Sequence, residues 1–314
     1  NDVYNYSNLT SLMTPFEELG SESTFCCTRD TLREQYESEY KELEYYHLNE
    51  LYVQDQQPPL PYFYSLWKTS VLLPRLYTPC EHKVMINLLN TFHQLCKSNN
   101  ITYMICDGTL LGSYRNHDIL PYDDDLDVLV SEYDRLRLLK IKDSISDDQR
   151  SWTMFSRGKN SLAKFYFREL KKAGRTKWKW PFIDIFGFQE NSTHIWFEAP
   201  VDKKYIYPLV LRPIASQWLW SPRSIFGYYQ SLQKRYELYS ESPSFDQTCL
   251  QQRYSHRFEE ERHKFTAVNC SQLHNIYPYI RRTCNETKCF EHLMINENTT
   301  MYSLNMDKDA YAHL

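Results

Sequence analysis

The segment Pro121 to Val130, PYDDDLDVLV, constrains this chain more than any other. Side chains alternate along an extended backbone, so Asp123, Asp125 and Asp127 share one face while Leu126 and Val128 take the other. Carboxylates crowded on a strand that enters an apolar core lose hydration and repel one another, so the arrangement needs a neutralising cation. Hard oxygen donors of this kind suit Mg²⁺ or Mn²⁺. The competing reading is an acidic surface run, and the apolar residues that follow count against it. An EF-hand would use Asp123, Asp125, Asp127 and Asp134, but it requires glycine at its sixth position, where Val128 stands.

A second acid, Asp184, stands alone in the apolar run PFIDIFGF. An acid in such a strand needs a partner. It either completes a metal site with Asp125 and Asp127, if the two strands are neighbours, or is a buried acid met by an arginine or a backbone amide. Gly108 and Thr109 follow the apolar run Ile101 to Cys106. They either admit a phosphate to backbone amides and a hydroxyl or simply make a turn.

Around these residues the pattern alternates helix and strand. Thr78, Pro79 and Glu81 form a capping box with proline in the first helical turn. Val84, Leu88, Leu89, Phe92, Leu95 and Cys96 then recur at helical spacing until Asn99 and Asn100, and a strand follows over 101–106. A short Leu110, Leu111, Gly112 stretch leads into a polar loop from Arg115 to Pro121, then a strand over 126–130 and a helix. Two further strands, 162–167 and 182–188, flank a turn whose segment 168–179 carries six basic residues. The prolines at 208, 213 and 222 mark a connecting loop before an amphipathic helix from about Ser224. Upstream, 30–54 reads as a charged, Tyr-rich helix, and beyond Ser242 the periodicity fades.

The compartment is legible in sequons and cysteines. Asn5, Asn8, Asn100, Asn191, Asn269, Asn285 and Asn298 are glycosylation acceptors, an excess that points to a secretory lumen. Nine cysteines fit an oxidising compartment. Cys249, Cys270, Cys284 and Cys289 cluster as disulfide candidates whose pairing sequence does not fix, while Cys96 and Cys106 read as small buried hydrophobes. The longest apolar runs fall far short of the ~20 residues of a membrane helix. No span is expected here, although a signal or anchor before Asn1 would fit the absence of a leader. A net charge of -4 argues against nucleic acid as a partner.

Taken together, the run CDGTLLGSYRNHDILPYDDDLDVLV (106–130), preceded by HQLCKSNNITY and followed by PFIDIFGF, resembles the LicD and fukutin family of nucleotidyltransferase-fold enzymes. The resemblance covers roughly residues 78–235. It implies an α+β fold, a nucleotidyltransferase-like mixed sheet flanked by helices, over 61–241; the sequence pattern adds an N-terminal helical stem over 1–60 and a cysteine-containing C-terminal extension over 242–314 packed on the catalytic domain. It also implies a Golgi-lumen, metal-dependent transferase. Such an enzyme moves phosphocholine or a phospho-polyol from a CDP-linked donor, of the CDP-choline or CDP-ribitol class, to a glycan hydroxyl and releases CMP. By that resemblance Gly108, Thr109, Arg115 and Lys164 adjoin the donor phosphates. Asp123, Asp125, Asp127 and Asp184 form the metal site, and Asp125, Asp127 and Asp184 carry catalysis. Tyr122 stands where the family commonly has Trp, and Asp107 where Gly or another small residue is usual.

Two rivals remain at this stage: a Golgi glycosyltransferase that uses its Asp-x-Asp on a nucleotide sugar, and an inactive secreted binding or scaffold protein. Trp178 and Trp180 would offer faces to a quaternary ammonium, against the simpler alternative of core packing. No Gly-x-Ser-x-Gly elbow, His-Glu-x-x-His helix, Walker loop or Cys-x-x-Cys pair occurs.

Overall fold

The computed structural model describes residues 70–156, 158, 162–231, 248–251, 254–261, 266–286 and 288–307. The expected stem, the helix over 30–54 and both expected domain boundaries lie outside them.

Helix α1 (Pro79–Ser98) starts at the expected capping box. The Thr78 amide donates to Glu81 Oε2 at 2.8 Å, and the Glu81 amide donates to Thr78 Oγ1 at 3.3 Å. Its apolar stripe, Met85, Leu88, Leu89, Phe92 and Cys96, is buried against the sheet core. Strand β1 (Tyr103–Ile105) follows, then α2 (Asp107–Asn116), β2 (Leu126–Ser131) and α3 (Glu132–Ser144). After these come β3 (Trp152–Ser156), β4 (Ala163–Phe167), the short β5 (Lys171–Lys172) and β6 (Lys179–Trp180), and β7 (Ile183–Glu190). The central sheet runs β1-β2-β7-β4-β3, and only the β2/β7 pair is parallel. Strands β8 (His194–Trp196) and β9 (Pro200–Asp202) continue from β7. The result is a mixed α+β layer with a buried sheet.

Three segments depart from the expected pattern. The stretch read as Leu110 to Gly112 plus a polar loop is instead the helix α2. Two glycines in ten residues mask its propensity, and it ends on His117 in the left-handed region at φ 50°. The proline-rich stretch read as a connecting loop holds a helical turn, α4 (Lys203–Ile206), and a hairpin of β10 (Val210–Ile214) and β11 (Gln217–Ser221). A two-stranded ribbon has only edges, so it tolerates Pro213. Helix α5 (Ile225–Ser231) then begins where a helix was expected.

The C-terminal residues are the third departure, being more regular than their sequence suggests. Strands β12 (Thr248–Gln251), β13 (Tyr254–Ser255), β14 (Glu260–Glu261) and β15 (Thr266–Asn269) precede an antiparallel sheet of β16 (Tyr279–Cys284), β17 (Lys288–Asn296) and β18 (Thr299–Asp307). In β16 only Ile280 is buried, so little alternation exists to be read. Disulfides join Cys249 to Cys270 and Cys284 to Cys289, while Cys96 and Cys106 are free and buried. Asn100, Asn191, Asn269, Asn285 and Asn298 are all exposed. No helix among the described residues is long and apolar enough to cross a membrane.

Candidate active site

Register explains how acids distant in sequence meet. In the parallel β2/β7 pair Asp127 lies opposite Asp184, and in the antiparallel β7/β4 pair Asp184 lies opposite Lys164. Register partners on adjacent strands point to the same face, so the three stand abreast. Asp125, one residue before β2, joins them. Carboxylate oxygens of Asp125, Asp127 and Asp184 lie within 4.8 Å of one another, and all three residues are buried. At that separation, with an effective dielectric near 20, each like-charged pair repels by at least about 3 kcal/mol.

The consequence is visible in the titration of Asp127 and Asp184. Burial, with the Asp125 charge beside it, holds the Asp127 carboxyl well above the ordinary carboxylate range. Burial also lifts Asp184 to about 7, although the Lys164 ammonium pulls the other way. That ammonium sits 2.8 and 3.1 Å from the two Asp184 oxygens and 3.7 Å from the centre of the Phe182 ring. Lys164 is thus a buried counter-ion of Asp184.

Helix α2 closes the site from above β2. The Gly108 amide donates to Asp127 Oδ2 at 3.2 Å, and the Asp127 amide donates to Thr109 Oγ1 at 2.7 Å. Glycine is required at 108 by close approach, since a Cβ there would lie 2.0 Å from Asp123 Oδ2. Gly108→Ala is expected to melt earlier by about 1–3 kcal/mol of overpacking, whereas the same exchange in an unconstrained helix stabilises by about 0.5–1 kcal/mol. Thermal unfolding gives the sign. Asp107 enters the helix at φ 43°, a left-handed conformation that glycine adopts freely and aspartate tolerates. Backbone geometry therefore accounts for a small residue at this junction.

Asp123 is not in the same trio. Burial and the neighbouring Asp125 carboxylate raise it well above its ordinary range, but its oxygens group with those of Asp124 and His256. Asp124 and His256 were not singled out by sequence reasoning. Asp124, the middle acid of the run, accepts from Ser255 Oγ and from the amides of His256 and Arg257 at 3.2–3.3 Å. It thereby anchors the β13–β14 turn against the site. The His256 ring spans Asp124 Oδ1 at 3.1 Å and Asp125 Oδ2 at 3.2 Å. Burial pushes the imidazole down, yet Asp125 and Asp124 outweigh it and raise it to about 9. The ring thus bridges Asp124 and Asp125, and the Asp124 amide donates to Asp123 Oδ1 at 3.0 Å. An acid followed by two more offered a signal for Asp124; nothing local marks His256.

Arg115 lies at the other end of α2. It donates to the Thr248 carbonyl at 2.8 Å and approaches the Tyr122 hydroxyl at 3.4 Å, on the side of the C-terminal residues. Trp178 and Trp180 are buried, with Lys164 and Arg257 over their faces, so the packing alternative holds for both.

A test of cation fit comes from Asp125 Oδ1, a buried oxygen without a hydrogen-bond partner among the described residues. Such an atom is costly unless something not in the chain meets it. With an all-oxygen trio in which burial raises Asp127 and Asp184 above the ordinary carboxylate range, the residues fit a hard divalent cation.

Residues 100–224 match the family described as LicD/FKTN/FKRP, nucleotidyltransferase domain. The chain is 29% identical over 135 residues to the lipopolysaccharide cholinephosphotransferase LicD of Haemophilus influenzae (strain ATCC 51907 / DSM 11121 / KW20 / Rd), covering 41% of this chain and 48% of that protein. It is 26% identical over 143 residues to an uncharacterised protein of Rickettsia prowazekii (strain Madrid E), covering 46% and 51%. The chain thus spans about half the length of these curated relatives. The crystal structure of ANT(2")-Ia in complex with adenylyl-2"-tobramycin superposes on 50% of this chain and 78% of that one, at 11% identity and a TM-score of 0.34. The segment 100–224, which holds the carboxylate trio, Lys164 and α2, is thus the part of the chain that matches the LicD/FKTN/FKRP nucleotidyltransferase domain.

Proposed function

We propose that this chain is a metal-dependent transferase that moves phosphocholine or a phospho-polyol, ribitol or glycerol phosphate, from a CDP-linked donor to a glycan hydroxyl and releases CMP. The observation that carries the reading is the buried Asp125, Asp127 and Asp184 trio, with its unmet Asp125 oxygen, inside the family domain. Those three carboxylates would hold Mg²⁺ or Mn²⁺, with Asp123 oriented beside Asp125. When bound, the ion supplies charge neutralisation for the donor diphosphate.

The remaining roles belong to the chain. The start of α2, where the Gly108 amide already meets Asp127 Oδ2, favours an anionic donor by helix dipole. Arg115 and Lys164 add positive charge to the same domain. In the transfer, the acceptor hydroxyl oxygen forms a bond to the phosphorus distal to cytidine as the bond from that phosphorus to the CMP oxygen breaks. CMP leaves with the electron pair, and the hydroxyl proton passes to Asp184. A carboxylate lifted to about 7 and held by the Lys164 ammonium suits that role near neutral pH. Five exposed sequons and two disulfides support a secretory-lumen setting, with the Golgi as the compartment.

The test is product identity. Incubation with Mn²⁺, an acceptor glycan mixture and, separately, CDP-choline, CDP-ribitol, CDP-glycerol or UDP-sugars should release CMP from at least one CDP donor. Release of UDP alone would make the chain a glycosyltransferase. Binding of no donor by calorimetry would support the scaffold reading.

A further inference from the structure

Helix α2 has two ends, and only its first turn faces the carboxylates. Its last turn, about 10 Å further along the axis by helical rise, opens on a separate cavity of about 400 Å³ between α2 and the segment bearing the Cys249–Cys270 disulfide. That volume lies within the range of small-molecule sites.

The lining has a marked chemical bias. Arg115, Arg281 and Arg282 are among the lining residues, and no aspartate or glutamate is. Arg281 is exposed, and its side chain makes no hydrogen bond or ion pair among the described residues. On the opposite character, Asn116 donates its amide nitrogen to the Pro278 carbonyl at 2.7 Å, which fixes its orientation. Its Oδ1 is thereby held as an acceptor, buried and without a partner among the described residues. A buried acceptor of this kind calls for a hydroxyl or amide donor from a ligand. His274 and Tyr279, both on the lining, stack their rings at 3.6 Å and 4°.

An anion for Arg281, a hydroxyl donor for Asn116 and a flat face for the ring pair are features of one ligand class. We infer that this cavity binds a phosphorylated saccharide, with the phosphate toward the guanidinium groups and a ring hydroxyl on Asn116 Oδ1. Phosphate suits the site better than a neutral sugar because its oxygens accept from the Arg281 guanidinium, while Arg115 and Arg282, held by the Thr248 carbonyl and by Glu291, line the same space. Tyr122 lines the cavity and Asp123 is the next residue, so a saccharide seated here lies beside the carboxylate site. Its assignment as part of the acceptor rests on the transferase reading; the binding itself does not.

The experiment is calorimetric titration of the full chain with glucose 6-phosphate, with glucose, with inorganic phosphate and, separately, with CDP plus Mn²⁺. Wild type should bind glucose 6-phosphate more tightly than either half of it. Arg281→Ala should weaken that binding about tenfold, the scale of one charged hydrogen bond, and Arg281→Glu should abolish it. Both variants should bind CDP with Mn²⁺ as wild type does and unfold at the wild-type temperature, since residue 281 is exposed. Failure of wild type to bind glucose 6-phosphate above inorganic phosphate would overturn the inference. So would a loss of CDP binding in Arg281→Ala with sugar-phosphate binding intact, because the cavity would then serve the nucleotide. Sugar-phosphate binding in a chain that binds no CDP would sustain the site while removing the transferase reading.

Discussion

Asp127→Asn is expected to abolish transfer, by on the order of a thousandfold, while the metal-free protein becomes more stable rather than less. Asparagine keeps the oxygen that accepts from the Gly108 amide and keeps the backbone bond to Thr109. It removes one charge from a buried trio whose members repel. The pH dependence follows from the direction of each shift. A carboxylate raised by folding binds its proton more readily folded than unfolded. Its contribution to stability is therefore full below the ordinary value and is lost as pH rises through the folded one. For Asp184 that window runs from 3.8 to about 7, and Asp123 and Asp127 act in the same sense. His256, raised to about 9, likewise contributes fully below 6.5 and loses that contribution through about 9. His117, lowered chiefly by burial, runs the opposite way below 6.5, but the substitution leaves it untouched. Metal-free wild type should thus lose stability between pH 5 and pH 8, and Asp127→Asn should lose less. Mn²⁺ should restore wild type at pH 8 and do little for the variant. Thermal melts in chelator and in Mn²⁺ at the two pH values test this. Identical curves with transfer intact would take Asp127 out of the site.

The central sheet was legible because its signals are local. A capping box, a 3.6-residue stripe and two apolar strands each carrying acids identify α1, β2 and β7 without tertiary help. That Asp184 would stand beside Asp127 follows only if β2 and β7 are adjacent, and adjacency is a topological fact that periodicity does not encode. Lys164 shows the limit of single-residue reasoning. The resemblance put it at the donor phosphates, and register across β4 and β7 gives it the Asp184 carboxylate as a partner that no local signal announces. His256 was out of reach for a different reason. It lies 131 residues from Asp125 in a turn without periodicity, and the backbone bonds that deliver it to the site are made to Asp124, an acid indistinguishable in sequence from its neighbours. Helix α2 was hidden by its own glycines, one of which is needed for contact with Asp123 and not for flexibility.

Glu291→Gln is expected to cost about 3–5 kcal/mol of stability, the scale for removing one partner of a buried ion pair. That would lower the melting temperature by on the order of 10 °C. Glu291 is fully buried on β17. It accepts from Arg212 at 3.0 and 3.1 Å, from Arg282 Nε at 3.0 Å and from His117 Nε2 at 2.7 Å. Those partners come from β10, from β16 and from the residue that ends α2, so one carboxylate ties the C-terminal sheet to the helix whose other end meets Asp127. The Tyr302 hydroxyl lies 3.0 Å from His117 Nδ1, which leaves Nε2–H to donate to Glu291, in keeping with the neutral imidazole that burial favours. Glutamine matches the shape but leaves two guanidinium groups buried without their counter-charge. Burial alone would raise the Glu291 carboxyl, but Arg212 and Arg282 overcome it and hold it well below 4.5. Its contribution is therefore present above 4.5 and lost as pH falls through the lower folded value, so wild type should show an acid transition that Glu291→Gln lacks. Urea unfolding at pH 7 and pH 3 reads both effects. A variant within 1 kcal/mol of wild type at pH 7 would mean that the cluster is not what fastens the C-terminal sheet to α2. If the fastening is as described, Glu291→Gln should also weaken Mn²⁺-dependent CDP binding, because the helix that positions Gly108 and Thr109 loses its distal anchor.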